Sequence, residues 1–392
     1  MNENATIMNE IIKSPNHKNN KSIQLCAIGN GLVDMQFQIS DAIFNSLNVP
    51  KGEMRLVEND EQNKIIQQLN ATVKSNKCSG GSATNTVDAF AQFGGTAAYL
   101  TTVGDDENGK FYFQELEKHN IKYKNNIIKN SPTGTCLVLI TPDAERTMLT
   151  CLAASKEFSL EHLDENLIAN SEWLYLEGYK FSENSGAESI AKSIAIAKQN
   201  NTKIAITASD LFIIDVFKEQ FISALKESDL VFCNENEAVA IAKNLNLTHC
   251  YAALDAVSSE TVQRFPEEIP HQVRYDDSDK EINSDEAIKI ISKVCSNVVM
   301  TKGKDGATVL FDGKIYEFSA VPTTVIDTTG AGDMFAGAFL FGLLNYENIF
   351  NEKEFNKINF AGKLASKASS IIVSQLGARY SESFRTIIQS II

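Results

Sequence analysis

The sequence predicts an α/β fold with a mostly parallel central sheet covered by helices on both faces. The first observation is a series of short apolar runs that alternate with amphipathic stretches; these runs are Ile23–Ile28, Ala97–Val103, Trp173–Leu176, Ile204–Thr207, Leu230–Cys233 and Val298–Met300. Strands that are apolar throughout are buried on both faces, as in parallel sheets flanked by helices. The second observation is that small or polar residues follow each run. Because ligands bind beyond the carboxyl ends of strands in open α/β sheets, the functional site is predicted at this edge.

Composition and charge exclude several classes of protein. The chain has 392 residues, of which 43% are apolar, and a formal net charge of −14. This acidic balance argues against a nucleic-acid partner, since a phosphate backbone requires a basic face. The chain has no apolar run of transmembrane length, so no membrane partner is expected. The seven cysteines include no CxxC pair, which predicts free thiols in a reducing compartment, with the cytoplasm as the expected location.

Three kinds of segment interrupt the alternation of strands and helices. Residues 1–22 are rich in Asn, Lys and Ser and are predicted to be a mobile tail before a single domain at 23–392. Half-polar, β-prone segments at about 31–57 and 121–152 are predicted to form a small sheet that closes over a substrate; two surface hairpins are the alternative. The polar stretch Asn246–Ser284 is predicted to be an inserted loop or short helical excursion without chemistry.

The segment Asp-Thr-Thr-Gly-Ala-Gly-Asp at 327–333 carries the strongest chemical signal. It precedes the apolar run Met334–Leu344, a predicted buried helix. The small residues of the predicted first turn leave backbone N–H groups and the positive end of the helix dipole open to a phosphoryl group in transfer. These residues are Gly330, Ala331 and Gly332.

Asp333 follows this predicted anion cradle directly. A carboxylate in that position can accept the proton of an acceptor hydroxyl, so Asp333 is predicted to be the catalytic base. The helix dipole and the N–H groups are expected to keep it ionised. For an isolated Gly-Asp pair the alternative is a helix-capping role.

A second glycine cluster, Ser79–Asn85, precedes a predicted helix at Thr86–Phe93. Gly80 and Gly81 would let the backbone pass close to a ligand, and Asn85 can hydrogen-bond hydroxyl groups; an ordinary turn is the alternative.

Asp34 ends the fragment Gly29–Asp34 that follows the first predicted strand. Its carboxylate can bind a pair of sugar hydroxyls. The fragment lacks the glycine that a dinucleotide fingerprint requires at this position, and the chain has no Walker A sequence, so both of those nucleotide-binding modes are rejected.

Together these motifs resemble the ribokinase (PfkB) superfamily of sugar and nucleoside kinases, from about Ile23 to Arg379. Residues 327–340 match its C-terminal signature, and the spacing Gly80-Gly81…Asn85…Gly94…Gly104 matches its N-terminal signature. The resemblance implies a ribokinase-like three-layer α/β/α domain with a small β-sheet lid, ATP as phosphoryl donor and Mg²⁺. The stretches 33–57 and 142–148 look most like the adenosine-kinase-like branch.

The resemblance also assigns residues to the nucleotide and to ions. Glu237, in the NxxE motif that begins at Asn234, would act on Mg²⁺ through water; a negatively charged helix start is the alternative. Asp327 and Thr329 lie where many relatives bind a monovalent cation such as K⁺. The expected nucleotide-binding residues are Asn234, Thr301, Gly303, Gly306 and Thr328.

On the acceptor side, Arg146 would lie on the lid, where it reaches a phosphate or forms a surface ion pair. Leu137, with Phe37 and Phe44, is a candidate for an apolar slot that takes a nucleoside base. The expected substrate-binding residues are Asn30, Asp34, Gly80, Gly81, Asn85 and Leu137.

The predicted activity is transfer of the ATP γ-phosphoryl group to a primary hydroxyl of a ribose-containing nucleoside, with adenosine as the expected acceptor. A free sugar (ribose, fructose or a keto-deoxy sugar acid) is the first alternative. A non-catalytic ligand sensor on the same fold is the second. A monomer and a homodimer paired through lid strands are both compatible with the sequence.

Overall fold

The computed structural model describes residues 21–52, 54–70, 73, 75–143, 145–258, 282–350, 356–380, 387, 388 and 391, with the side chains of 247–258 excepted. The strands in these residues are β1 (Ile23–Ile28), β2 (Leu32–Gln38), β3 (Met54–Leu56), β4 (Asn76–Gly80), β5 (Ala97–Leu100), β6 (Val103–Gly104), β7 (Lys122–Tyr123), β8 (Ile127–Ile128), β9 (Gly134–Ile140), β10 (Arg146–Cys151), β11 (Ser171–Glu177), β12 (Lys203–Thr207), β13 (Leu230–Asn234), β14 (Asn297–Thr301), β15 (Ala307–Phe311) and β16 (Lys314–Phe318).

The helices fill the connections between these strands. They are α1 (Asp41–Ser46), α2 (Asn59–Asn70), α3 (Ser82–Gln92), α4 (Glu107–Lys118), α5 (Glu165–Ala169), α6 (Asn184–Gln199), α7 (Leu211–Val216), α8 (Lys218–Lys226), α9 (Glu235–Ser258), α10 (Ser284–Ile291), α11 (Ala331–Ile349) and α12 (Lys357–Ile372). Short 3₁₀ helices lie at Ala153–Glu157, Leu160–His162, Gly178–Ser182 and Gly303–Asp305.

The main sheet has nine strands in the order β16-β15-β14-β13-β12-β11-β1-β5-β7. All neighbours from β14 to β7 pair in parallel, and β15 and β16 add an antiparallel edge. Each of the six apolar runs in the sequence supplies a strand of this sheet, which confirms the α/β prediction. Parallel strands need long crossover connections, and the helices between them provide those connections.

Two apolar clusters cover the two faces of the main sheet. One contains Val87 of α3, Phe339 of α11 and Leu364 of α12, together with Trp173 near the start of β11. The other contains Ile190 of α6, and further residues of α5 and α7–α10. The expected three-layer α/β/α arrangement is therefore confirmed. The two helices predicted around the motifs extend further than the sequence suggested, at Ser82–Gln92 and Ala331–Ile349.

The lid is a separate five-stranded sheet in the order β3-β10-β9-β2-β4. Two of its boundaries differ from the prediction. Strand β4 belongs to it although Asn-Lys-Cys-Ser-Gly has no β-branched or aromatic residue, because its pairing with β2 decides its conformation. Residues 122–128 do not belong to it, since β7 pairs with β5 of the main sheet and β8 pairs with β6. Helix α2 closes one face of the lid with Ile65 and Leu69.

Parts of the segments set apart in the sequence fall outside the described residues. Of the predicted tail, residues 1–20 lie outside them. The polar stretch 246–284 begins inside α9, its residues 259–281 lie outside the described residues, and α10 starts at its end. None of the helices in the part of the chain described here is long and apolar enough to cross a membrane. The six described cysteines are free thiols.

Candidate active site

Asp333 lies in the first turn of α11, with its carboxylate facing α3. Ser82 Oγ donates to its Oδ1 at 2.7 Å, and Asn85 Nδ2 donates to its Oδ2 at 2.9 Å. Burial raises the pKa of Asp333 to about 6, although both hydrogen bonds and the charge of Arg379 lower it. The expectation that the helix start alone controls this charge is therefore incomplete, but the group is still mainly ionised at pH 7. A carboxylate held by two donors from another helix is placed to accept a proton.

The predicted anion cradle is the turn before Asp333. Gly330 has φ +73°, and a Cβ there would collide with Ala378, so this position requires glycine. The Ala331 N–H donates to Thr328 O at 3.2 Å, so one of the three predicted donors already has a partner. The following amides, at the helix start, have no acceptor within their own helix. A Cβ on Gly332 would have no atom within 4 Å, which leaves room for an anion beside these amides.

Asp34 brings a second carboxylate to the same region from strand β2 of the lid. A Cβ on Gly80 would collide with this carboxylate, and Gly81 has φ +97°, so both glycines shape the wall around it. Burial raises the pKa of Asp34 to about 7; Arg379 and Arg146 lower it, and the charge of Asp333 raises it. The Asp34 carboxylate is therefore buried and is influenced by the positive charges of Arg379 and Arg146, which suits a residue that binds hydroxyl groups.

Arg146 joins the lid to the start of the cradle. It forms an ion pair with Asp327 and donates to Thr329 Oγ1 at 2.7 Å; its side chain is 9% exposed. The Asp327 carboxylate also accepts from the backbone N–H of Thr329 at 2.8 Å and of Gly377 at 2.5 Å. The guanidinium therefore balances the charge of Asp327 in this structure, and the ion pair is buried rather than on the surface. A monovalent cation at Asp327 and Thr329 stays a prediction.

Asn30 lies below the cleft with both ends of its side chain engaged by the protein. Its Nδ2 donates to Glu177 Oε1 at 3.0 Å, and its Oδ1 accepts from Ser155 Oγ at 2.9 Å and Lys180 Nζ at 3.1 Å. Glu177 also accepts from the Ala83 N–H at 2.9 Å, which anchors the start of α3. These contacts hold the side chain of Asn30 in the cleft wall, and its contact with the substrate stays a prediction.

Leu137 was predicted to line a slot for a nucleoside base, and the register of the lid corrects this prediction. Neighbours across β2 and β9 share a face, and Asp34 pairs with Cys136, so Leu137 points to the opposite face. That face is the core of the lid against α1 and α2, and it also takes Phe37 and Phe44. The apolar residues on the face of Asp34 and Arg146 are Cys136, Val138, Ile140 and Met148.

The predicted nucleotide-side residues gather at the carboxyl ends of β13 and β14. Asn234 pairs in register with Thr301. Asn234 and Glu237 form a reciprocal cap at the start of α9: Glu237 Oε2 accepts from the Asn234 N–H at 2.8 Å, and Asn234 Oδ1 accepts from the Glu237 N–H at 2.9 Å. This geometry agrees with the alternative given above for Glu237, a negatively charged residue at a helix start.

The loop after β14 contains the two predicted glycines. Gly303 has φ +54° with open space around it, and Gly306 has φ +95° and is packed against the backbone of Phe318. Thr328 is exposed, just before the cradle. Within the described ranges, no group of three or more potential metal ligands is present in the chain.

Several residues of the site were not found from the sequence. Ser82 lies inside the glycine cluster, where its position one helical turn from Asn85 was the available signal. Arg379 lies in the loop after α12, and its only signal was a charge within an otherwise polar and apolar segment. Its Nε donates to Asn85 Oδ1 at 3.3 Å. Glu177 and Lys180 both contact Asn30; Glu177 directly follows an apolar run, whereas no pattern marked Lys180.

Comparison with known proteins agrees with this geometry. The model of the pfkB family carbohydrate kinase matches residues 48–266 and 277–385. The fold, the glycine-rich helix start with its carboxylate and this match together define the class of protein: the chain belongs to the pfkB family of carbohydrate kinases.

Two curated relatives illustrate the range of acceptors among similar chains. The chain is 25% identical over 335 residues to an adenosine kinase of Saccharomyces cerevisiae, covering 83% of this chain and 90% of that one. It is also 25% identical over 314 residues to a 5-dehydro-2-deoxygluconokinase of Clostridium beijerinckii, covering 78% and 84%. The solved adenosine kinase of Sinorhizobium meliloti has a TM-score of 0.76 at 25% identity and covers 94% of this chain and 99% of its own.

Proposed function

We propose that this chain transfers the γ-phosphoryl group of ATP to a primary hydroxyl of a ribose-containing nucleoside, with adenosine as the first candidate. The observation that carries the proposal is the Asp333 carboxylate, which Ser82 and Asn85 hold beside the open space at Gly332. The acceptor, the magnesium ion and a cytoplasmic location are all parts of this proposal.

The reaction needs a base, an anion site and exclusion of water. Asp333 takes the proton of the acceptor hydroxyl while the hydroxyl oxygen forms the new bond to the γ-phosphorus. The bond from that phosphorus to the bridging oxygen breaks, and ADP leaves with the electron pair. The amides around Gly332 stabilise the charge that develops on the transferred group. Asp34 holds the sugar hydroxyls, and the lid excludes water.

On the nucleotide side, Glu237 is the carboxylate proposed to act on Mg²⁺. Burial, together with the charges of Asp210 and Asp333, raises the pKa of Glu237 to about 7. Carboxylates that raise one another's pKa would gain from a divalent cation nearby, and Glu237 would hold it through water. When bound, the ion neutralises charge on the phosphates.

The choice of a nucleoside over a free sugar depends on the cleft face of the lid. Cys136, Val138, Ile140 and Met148 form an apolar cluster on the same face as Asp34. An apolar surface beside a sugar-binding carboxylate suits an acceptor with a flat base. The similarity to a 5-dehydro-2-deoxygluconokinase favours a sugar acid as the second candidate.

The test of the acceptor is a panel read out by ADP release. Adenosine and other nucleosides are compared with ribose, fructose and a keto-deoxy sugar acid at equal concentrations. We expect the highest kcat/KM with a nucleoside. A preference for the sugar acid would replace the nucleoside assignment, and the absence of turnover with every acceptor would favour the ligand sensor.

The test of the base is Asp333→Asn. This variant keeps the size of the side chain but cannot accept the proton, so we expect kcat to fall by several orders of magnitude with ATP binding retained. Binding measured by calorimetry is the control for folding. Turnover equal to that of the wild type would exclude Asp333 as the base.

A further inference from the structure

Arg379 belongs to a chain of polar contacts that ends at Asp333. Its Nε donates to Asn85 Oδ1 at 3.3 Å, and Asn85 Nδ2 donates to Asp333 Oδ2 at 2.9 Å. On its other side, Arg379 Nη1 is 3.4 Å from Asp88 Oδ1. Asp88 in turn contacts His119 Nδ1, which is partly exposed. Three segments that are distant in sequence, at 85–88, 119 and 379, thus meet behind the base.

The guanidinium is fixed in place by burial and by Asp88. The side chain of Arg379 is 9% exposed and that of Asp88 is 1% exposed. Burial would raise the pKa of Asp88, but Arg379 and His119 hold it below its ordinary value. Gln92 also donates to Asp88 Oδ2 at 2.7 Å. A carboxylate that stays charged in a buried position anchors the guanidinium that faces it.

The contact with Arg379 decides which end of the Asn85 amide faces the base. An amide has an acceptor end and a donor end, and a guanidinium can only donate. When Arg379 takes the oxygen of Asn85, the NH₂ group is directed to Asp333. A reversed amide would place its oxygen against the carboxylate and would remove one of the two donors that hold it.

The charge of Arg379 also acts on the carboxylates of the cleft. It lowers the pKa of both Asp333 and Asp34. The other titratable groups that face Asp333 are Asp34 from the lid, Tyr175 and Glu177 from β11, Tyr179 from the 3₁₀ helix after it, and Glu237 from α9. None of these carries a positive charge. Arg379 is the cation whose charge acts on Asp333 within the described part of the site.

We propose that Arg379 is a positioning residue for phosphoryl transfer, which orients Asn85 so that its NH₂ group holds the carboxylate of Asp333. The inference rests on the proposed function, because it assigns Arg379 a role in the same reaction. Arg379 acts through Asn85 and through its charge, so it is not assigned a contact with the transferred group.

The experiment compares Arg379→Met with Arg379→Lys in the full chain. Methionine removes the donors and the charge at similar volume, and lysine keeps the charge. In Arg379→Met we expect the acidic limb of the profile of log kcat/KM against pH to move to higher pH by about one unit. Because the pKa of Asp333 is about 6, the loss of activity is then about fivefold larger at pH 6 than at pH 8.5. In Arg379→Lys the limb stays near its wild-type position.

A direct titration keeps the test independent of turnover. Aspartate labelled with ¹³C at the carboxyl carbon is followed by NMR against pH, with the Asp333 signal assigned by its loss in Asp333→Asn. We expect the midpoint for Asp333 to rise in Arg379→Met. A wild type without turnover for any acceptor would defeat the proposed function, and this titration would still test Arg379.

Two results would overturn the inference. One is an Arg379→Met variant that folds, as judged by its thermal unfolding, and has an unchanged limb and an unchanged Asp333 midpoint. The other is an equal loss of activity at every pH in both variants, which would indicate a merely structural role. Asp88→Asn is the second variant: it keeps a side chain of the same shape but removes the negative charge that offsets Arg379, so we expect the Asp333 midpoint to move to lower pH, opposite to Arg379→Met. A midpoint that rises as in Arg379→Met would contradict the role of the charge.

Discussion

The surroundings of the Asp333 carboxylate depend on two glycines as well as on the side chains that hydrogen-bond to it. Gly330 and Gly332 lie two positions apart in the turn before Asp333, yet the space around them differs. The backbone at Gly330 has φ +73° and packs against Ala378, whereas the position of a Cβ at Gly332 is open. One glycine therefore serves the fold and the other serves access of the anion.

This difference predicts opposite results for the two alanine variants. Gly330→Ala should destabilise the protein by more than 1 kcal/mol, because alanine is strained at positive φ and its Cβ collides with Ala378. Gly332→Ala should leave the unfolding temperature within about 2 °C and lower kcat at least tenfold, because the methyl group occupies the anion space. Thermal unfolding and ADP release measure both. A fully active Gly332→Ala would contradict the cradle.

The sequence singled out residues whose signal was local. Asp333 and the glycines before it could be found because adjacent residues define a helix start. Leu137 was misassigned because its position depends on the register of β9 with β2, and the contacts of Asn30 with Glu177 and Lys180 could not be predicted because both partners are distant in sequence. Arg379 could not be found, since no local pattern links it to Asn85.

At the scale of the element, successive residues along each strand of the lid alternate between its two faces. Leu137 and Leu149 point into the core of the lid against α2, whereas Arg146 and Met148 lie on the face toward the cleft. The sequence predicted that the segments at about 31–57 and 121–152 form a sheet, but it could not supply the register, and it wrongly included residues 122–128. A shift of one residue in pairing exchanges the two faces, so no residue of the lid could be assigned to the cleft without it.

Because Leu137 and Met148 lie on opposite faces of the lid, Leu137→Ala is expected to change stability and Met148→Ala is expected to change the acceptor KM. Leu137 is fully buried, so its truncation should lower the free energy of unfolding by about 2–5 kcal/mol with little change in the acceptor KM. Met148 is only partly buried and lies on the cleft face, so its truncation should raise the acceptor KM severalfold at nearly wild-type stability. Urea unfolding and steady-state kinetics separate the two. The reverse pattern would mean that the acceptor contacts the other face.

For the whole molecule, the buried carboxylates of the site lower the free energy of unfolding by an amount that depends on pH. Burial raises the pKa of Asp34 and of Glu177 to about 7, from ordinary values of 3.8 and 4.5. At pH values between the ordinary pKa of each group and its pKa in the folded protein, the folded state binds more protons than the unfolded state. The free energy of unfolding therefore falls as pH rises through this window.

The expected result is a protein without ligands that is more stable at pH 5.5 than at pH 7.5. Denaturant unfolding at several pH values measures the slope. In Glu177→Gln we expect lower stability at every pH, since the NH₂ group of the new amide can face the Ala83 N–H, which is itself a donor. We also expect a shallower dependence of stability on pH, since one of the titrating carboxylates is removed. Glu188→Gln, at an exposed position of α6, is the control and should leave the slope unchanged. An equal slope in Glu177→Gln would contradict the assignment.

The architecture of the whole molecule was the part most accessible from the sequence. Six of the parallel strands contain a short run of mostly apolar residues, and such a run can be recognised in the sequence without knowledge of the neighbouring strand. The antiparallel edge strand β16 was not found, because Lys-Ile-Tyr-Glu-Phe is half exposed and resembles a surface segment.

Trp173, the chain's single tryptophan, lies near the amino end of β11, while Glu177 at the other end of that strand supports the cleft. Four residues of extended backbone separate them by roughly 13 Å. Its indole is packed in the core with Lys203 Nζ 5.5 Å from the ring centroid. We therefore expect the tryptophan fluorescence of this protein to change on unfolding and to change little when a ligand binds in the cleft, which makes it a better optical probe for unfolding than for binding.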